Sequence, residues 1–263
     1  MDLGLAGRRA LVLASTKGLG RAAAEGLAAE GAAVAVTSSS AARSSEVAAA
    51  IAERSGSKVV GIAADMRDPE AMDDLLAAAV RALGGIDILV LNYPGPALGL
   101  ASEIDLEVMD THYRLMVASP IRLLKAALGP MRERRFGRIL AISGGSIIQP
   151  LPNKVMDNTF RPALVGYFKA LSNEVAAEGI TLNILLPGTF MTDRVEHSTA
   201  ANAALWGIPV EEAMRRRIEG IPTGRFGDLR EFAAVTTFLC SEPAGYINGS
   251  VVRVDGGQVR SIL

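Results

Sequence analysis

The sequence of 263 residues contains few of the side chains on which disulfide-stabilised and metal-dependent proteins rely. Its single cysteine, Cys240, excludes an internal disulfide and lies in an apolar stretch that is typical of a buried, unreactive thiol. The whole chain has two histidines, and no metal site is predicted.

The sequence also lacks an excess of charge of either sign and a long apolar run. Its formal net charge of −1 argues against a nucleic-acid partner. No stretch approaches the roughly 18 apolar residues of a membrane span, and the first ten residues do not resemble a secretory leader. We therefore expect a cytoplasmic protein that binds neither nucleic acid nor membrane and acts on a small molecule.

Short apolar runs instead alternate with alanine-rich helical stretches. Buried strands are predicted at residues 10–14, 33–37, 59–63, 86–91, 139–143, 182–186 and 251–254. Helices are predicted at residues 21–30, 44–54, 69–83, 106–134, 155–178 and 229–240. This alternation predicts one α/β domain over residues 1–263, with a doubly wound parallel sheet of the Rossmann type and helices on both faces. Residues 189–223 interrupt it before the last helix and strand, and are predicted to form a lid.

A glycine-containing turn directly follows the first predicted strand and precedes the first helix. It consists of Ser15, Thr16, Lys17, Gly18, Leu19 and Gly20. Glycines at such a turn let the backbone approach a pyrophosphate, which the helix N-terminus then binds through N–H groups and its dipole. The turn therefore predicts a nucleotide site; the alternative is a tight strand-to-helix turn without a ligand.

The end of the second predicted strand lacks the acidic residue that would bind the ribose diol of NAD. Ser38 and Ser39 stand there, and Lys17 and Arg43 lie near in sequence. These donors favour NADP(H) over NAD(H) as the cofactor. Asp65, after the third strand, either accepts a hydrogen bond from the adenine amino group or caps the turn that follows it.

With these motifs the chain resembles the short-chain dehydrogenase/reductase family, and within it the 3-oxoacyl-[acyl-carrier-protein]-reductase-like branch. The glycine motif of that family occurs at residues 13–20 with its first two residues replaced, and residues 221–227 and 254–257 match its C-terminal signature. The resemblance implies that Asn92, Pro187, Gly188 and Thr192 lie at the cofactor. It also implies a homotetramer or homodimer paired through the two longest helices.

The resemblance implies four proton-transfer positions, and this chain has changed all of them. The family's tyrosine and lysine positions fall on Asp157 and Arg161, its serine position on Gly144 and its asparagine position on Met116. Asp157 and Arg161 lie one helical turn apart and can pair. An aspartate beside an arginine accepts a proton rather than donating one, which suits alcohol oxidation, enolisation or elimination better than carbonyl reduction. Arg161 can hold a cofactor ribose hydroxyl or a substrate carboxylate; alternatively, the two residues form a structural bridge on the helix surface.

Three further residues are candidates for orienting or protonating a substrate oxygen. Ser143 and Ser146 flank the changed serine position, although both could equally serve the loop backbone. Tyr93 stands where the family has a small alanine and could act as an acid or narrow the pocket. We expect an NADP(H)-linked oxidoreductase acting on an alcohol or carbonyl substrate. The alternatives are a lyase, hydratase or isomerase, or a catalytically silent nucleotide-binding protein, on the same scaffold.

Overall fold

Seven parallel strands form a single sheet in a computed structural model that describes residues 1–96 and 98–262. The strands are β1 (Arg9–Val12), β2 (Ala33–Ser38), β3 (Val59–Ala63), β4 (Ile88–Leu91), β5 (Gly137–Ile142), β6 (Ile180–Pro187) and β7 (Val251–Val254). Their order across the sheet is β3-β2-β1-β4-β5-β6-β7. The order reverses between β1 and β4, so the carboxyl ends of these two strands border the crevice where ligands bind in doubly wound sheets.

Helices cover both faces of this sheet. They are α1 (Gly18–Ala29), α2 (Ala41–Ser55), α3 (Ala71–Leu83), α4 (Leu106–Tyr113), α5 (Ser119–Arg134), α6 (Val155–Val175), α7 (Asp193–Trp206), α8 (Val210–Glu219) and α9 (Leu229–Leu239). Alternate residues of β4 face opposite layers, since Ile88 packs with the α1, α2 and α9 side and Leu89 with the α3, α5 and α6 side. This two-sided burial explains the uninterrupted apolar strands and confirms the predicted fold class.

The predicted helix at residues 106–134 is not continuous. A π-helical segment, Arg114–Ala118, separates α4 from α5. Pro120 has no backbone N–H and occupies the first turn of α5, so the helical hydrogen-bond ladder cannot run through this point unchanged. The predicted helix at residues 155–178 likewise ends at Val175, followed by a 3₁₀ turn over Ala176–Glu178.

The predicted lid contains two helices, α7 and α8, which pack against each other. The Thr192 side chain caps α7 by accepting a hydrogen bond from the Val195 N–H at 3.4 Å, and Gly207 ends that helix with a φ of 62°. The insertion therefore begins immediately beyond β6, at the carboxyl edge of the sheet. In residues 1–96 and 98–262 no helix is long and apolar enough to cross a membrane.

Candidate functional site

The glycine turn brings the N-terminus of α1 against the ends of β1 and β4. Gly18 starts the helix with a φ of 54°, and Lys17 precedes it in an extended conformation without a side-chain cap. A Cβ on Gly20 would collide with the Ala14 carbonyl oxygen and lie 2.6 Å from Asn92 Nδ2. Asn92 itself donates to that oxygen at 3.1 Å. Only glycine at position 20 allows this close packing. The Lys17 side chain does not cap α1, so it accepts no hydrogen bond from the first N–H groups of that helix.

The Ser15 side chain forms hydrogen bonds within the sheet. Its hydroxyl is fully buried, donates to the Val12 carbonyl at 2.6 Å and accepts from the Thr37 N–H at 2.8 Å, joining β1 to β2. The Ser15 N–H is engaged as well, because it donates to the Thr37 carbonyl at 2.9 Å, and a contact between Ser15 and a nucleotide stays a prediction. Thr16 is also buried, so Lys17 is the turn's one exposed polar side chain.

The end of β2 presents hydroxyl groups and no carboxylate. Ser38 Oγ donates to the Ser40 carbonyl at 2.9 Å and lies 2.9 Å from Ser44 Oγ, while Ser39 and Arg43 are exposed. A negatively charged group placed here would meet the N-terminus of α2, which adds a favourable dipole.

Asp65 has the geometry of a turn cap. Its carboxylate accepts from the Arg67 backbone N–H at 2.9 Å and pairs with the Arg67 guanidinium at 2.7 Å. The hydrogen bonds from Arg67 hold the pKa of Asp65 below its usual value, more than offsetting partial burial. A contact between Asp65 and adenine stays a prediction.

Asp157 and Arg161 form an ion pair inside the protein. Both belong to the first two turns of α6, and Arg161 Nε donates to Asp157 Oδ1. Asp157 is 5% exposed, so the pair does not lie on the helix surface, whereas a catalytic role for it stays a prediction. The Arg161 guanidinium also donates to the Ile142 carbonyl at 3.3 Å and lies 4.8 Å from the centre of the Tyr93 ring. Within residues 1–96 and 98–262, no group donates a hydrogen bond to Asp157 Oδ2.

The other two changed positions, Gly144 and Met116, pack against neighbouring side chains. A Cβ on Gly144 would lie 3.7 Å from Arg161 Nε, so the guanidinium packs directly beside this position at van der Waals distance. Met116 lies in the π-helical segment and is fully buried in the apolar core. An apolar side chain at this position offers no hydrogen bond to a relay water.

The three remaining catalytic candidates differ in their surroundings. Ser146 Oγ is buried and has no hydrogen-bond partner among the described residues. Ser143 is 8% exposed and continues the ladder of β5 by donating its N–H to the Leu185 carbonyl at 2.8 Å. Burial raises the pKa of the Tyr93 hydroxyl, and the Arg161 charge only partly opposes this. Tyr93, Ser143 and Arg161 line one small internal cavity, which brings two of the candidates to the ion pair.

The structure adds two cations to the site that the motifs did not indicate. Lys154 immediately precedes α6 and is half-buried; Arg194, on the first turn of α7, places its guanidinium where a Cβ of Gly95 would be. One signal was available, because a cation at a helix N-terminus is electrostatically unfavourable and therefore unusual. Nothing in residues 1–96 and 98–262 forms a group of three or more metal-ligating side chains.

Comparison with known proteins agrees with this geometry. A family model described as enoyl-(acyl carrier protein) reductase matches residues 13–258. The 3-oxoacyl-[acyl-carrier-protein] reductase FabG of Haemophilus influenzae is 36% identical over 257 residues, which cover 95% of this chain and 98% of that protein. The chain therefore belongs to the short-chain dehydrogenase/reductase family.

Solved structures of reductases share the whole fold. L-sorbose reductase from Gluconobacter frateurii, in complex with NADPH and L-sorbose, superposes with a TM-score of 0.95 at 30% identity over 100% of both chains. YwfH, an NADPH-dependent reductase involved in bacilysin biosynthesis, has a TM-score of 0.90 at 30% identity over 97% of this chain and 99% of its own.

Proposed function

We propose that this protein is an NADP(H)-linked oxidoreductase that acts on an alcohol or carbonyl substrate through a remodelled proton-transfer site. The observation that carries the proposal is the glycine turn at the N-terminus of α1, combined with the absence of a carboxylate at the end of β2. The NADPH complex of the sorbose reductase with the same fold supports the choice of cofactor.

The residues around the turn fit a dinucleotide phosphate. A Cβ on Gly18 would lie 3.6 Å from Thr192, so the start of the lid packs beside the N-terminus of α1, and the φ of 54° at this position favours glycine. The N–H groups of α1 would hold the pyrophosphate, and Lys17, Ser38, Ser39 and Arg43 would hold the 2′-phosphate. Asn92, Pro187, Gly188 and Thr192 would border the nicotinamide end, and Arg161 would reach a ribose hydroxyl. When bound, the nicotinamide would give or take the hydride.

Asp157 is the proposed acceptor of the proton that the substrate hydroxyl gives up. Its Oδ1 is held by Arg161, which leaves Oδ2 to accept a proton from a substrate hydroxyl. With Oδ1 held by the guanidinium, the carboxylate is placed as an acceptor, which suits alcohol oxidation better than carbonyl reduction. Arg161 fixes the position of that carboxylate through its bond to Ile142 and its contact with Tyr93.

Calorimetry tests the cofactor. NADP(H) should bind more tightly than NAD(H), and equal or reversed affinities would contradict the assignment of the 2′-phosphate site. Nicotinamide absorbance then tests the chemistry on matched panels of alcohols and carbonyls. Alcohol oxidation should exceed carbonyl reduction and should be abolished in Asp157→Asn. The control is Asp110→Asn, which removes one partner of an exposed i,i+4 pair with Arg114 and should leave activity intact.

A non-redox reaction is the second candidate, because all four proton-transfer positions of the family are replaced here. Asp157 would then act as the base of a lyase, hydratase or isomerase, and a bound nucleotide would not react. Turnover that depends on Asp157 without any change in nicotinamide absorbance would favour this candidate. Nucleotide binding with no turnover at all would instead indicate a catalytically silent protein.

A further inference from the structure

Basic side chains from three elements lie close to the Asp157–Arg161 pair. Lys154 stands at the N-terminus of α6, Arg194 on the first turn of α7, and Arg217 near the end of α8. The residues before α6 are joined to the loop after β4, since the Gly99 N–H donates to the Asn153 carbonyl at 2.9 Å. These cations therefore gather above the carboxyl edge of the sheet, on the side where ligands bind.

The lid directs two of its arginines into this region. Arg194 lies against Gly95 in the loop after β4, so the start of the lid reaches across to that loop. Arg217 is half-buried and donates to Ser198 Oγ and Thr199 Oγ1, both at 2.8 Å. Its neighbour Arg215 instead points outward and pairs with Glu212 on the same helix.

The cations of this group are not engaged in ion pairs among the described residues. No carboxylate in residues 1–96 and 98–262 forms an ion pair with Lys154 or Arg194, and Asp157 is already paired with Arg161. Burial lowers the pKa of the Lys154 ammonium, Asp157 raises it, and Arg194, Arg161 and Arg217 lower it further. Three cations thus act on Lys154 against one carboxylate, an arrangement that a bound anion would relieve.

We propose that the substrate is a small hydroxy or oxo acid, whose carboxylate is bound by Arg194 and Lys154 while its hydroxyl or carbonyl oxygen faces Asp157. A planar guanidinium matches a carboxylate with two parallel hydrogen bonds. Arg217 contributes charge and holds the lid helices together. The inference rests on the proposed function for the reacting oxygen, whereas binding of the anion requires no turnover.

Calorimetry on the NADP-loaded protein tests this inference with hydroxy acids of three to six carbons and their primary amides. At least one acid should bind about tenfold or more tightly than its amide, and the difference should shrink as salt is added. Arg194→Gln and Lys154→Met should each remove that preference, whereas Arg215→Gln should keep it. Melting curves of each variant verify folding, and the comparison of acid with amide on the unmodified protein needs no variant.

Equal binding of acids and amides, binding of neither, or a preference that survives in both variants would each overturn the inference. A loss of NADP affinity in Arg194→Gln with the preference for acids intact would assign that arginine to the cofactor and would also overturn it. Failure of the unmodified protein to bind NADP would instead count against the proposed function. The comparison of acid with amide would then still decide the inference on the protein alone.

Discussion

Removing Arg161 should destabilise the protein far more than its position on a helix suggests. Asp157 is 5% exposed and the Arg161 side chain 12%, so Arg161→Met would leave a carboxylate buried without its partner. Removing one member of a buried ion pair lowers the free energy of unfolding by about 3–5 kcal/mol, because the other charge stays buried without a partner. At about 2–4 °C per kcal/mol for a chain of this size, the melting temperature should fall by roughly 6–20 °C.

Asp157→Asn should cost less, about 1–3 kcal/mol, because Arg161 keeps its bond to the Ile142 carbonyl and its contact with the Tyr93 ring. Replacing both members of the pair with apolar residues, as in Asp157→Leu with Arg161→Met, should recover part of the loss.

Thermal unfolding at one fixed protein concentration without nucleotide measures these differences, because oligomerisation and ligands would otherwise shift the melting temperature. The exposed pair of Asp110 and Arg114 provides the control, and Arg114→Met should lower the melting temperature far less than Arg161→Met. A loss in Arg161→Met as small as that of the control would refute the reasoning, because the pair would then behave as a solvated one.

Four further outcomes are expected. Gly20→Ala should lower both stability and NADP affinity, because its Cβ meets backbone, whereas Gly129→Ala, with open space around it, should be neutral or stabilising in the same assays. Ser38→Asp should shift the preference in calorimetry from NADP toward NAD, since a carboxylate there accepts from a ribose diol and repels a phosphate. Burial raises the pKa of Asp87, but hydrogen bonds from Arg9 outweigh burial, so the pKa of Asp87 in the folded protein lies below its usual value. The stability that the ionised Asp87 contributes is therefore present above the unfolded pKa and is lost as the pH falls through the folded pKa. Urea titrations below about pH 4 should accordingly show a smaller acid-induced loss of stability in Asp87→Asn than in the unmodified protein. Light scattering should show a dimer or tetramer, and a monomer at micromolar concentration would contradict the pairing that the family resemblance implies.

The sheet was predictable because its strands are buried on both faces. Such strands have continuous apolar runs, and Ile88 and Leu89 show why, since each of these neighbours packs into a different helical layer. The strand ends moved by at most two residues from their predicted positions. The break at Arg114–Ala118 was missed, although Pro120, in the middle of the predicted helix at residues 106–134, indicates an interrupted hydrogen-bond ladder.

The site was predictable only where residues are close in sequence. The pairing of Asp157 with Arg161 follows from their spacing of one helical turn, but its burial depends on Tyr93 and Ile142, which belong to other elements. Arg194 could not be placed because its contact is with Gly95, on a loop far away in the chain. A charged residue of the lid is brought to the site by tertiary packing, and a local sequence pattern does not predict such a contact.

The changes in the proton-transfer site are physically consistent with one another. An arginine is longer than a lysine, and the guanidinium of Arg161 packs at van der Waals distance from the position that a Cβ on Gly144 would take. The fully buried Met116 puts apolar volume where the family resemblance implies a relay residue, and a methionine side chain has no hydrogen-bond donor to offer a water. Under the proposed function, these replacements would turn a donor of protons into an acceptor held in place by Arg161. The replacements amount to a repacked site rather than the loss of a single residue. For this reason we assign to the site alcohol oxidation, in which the substrate hydroxyl gives up its proton.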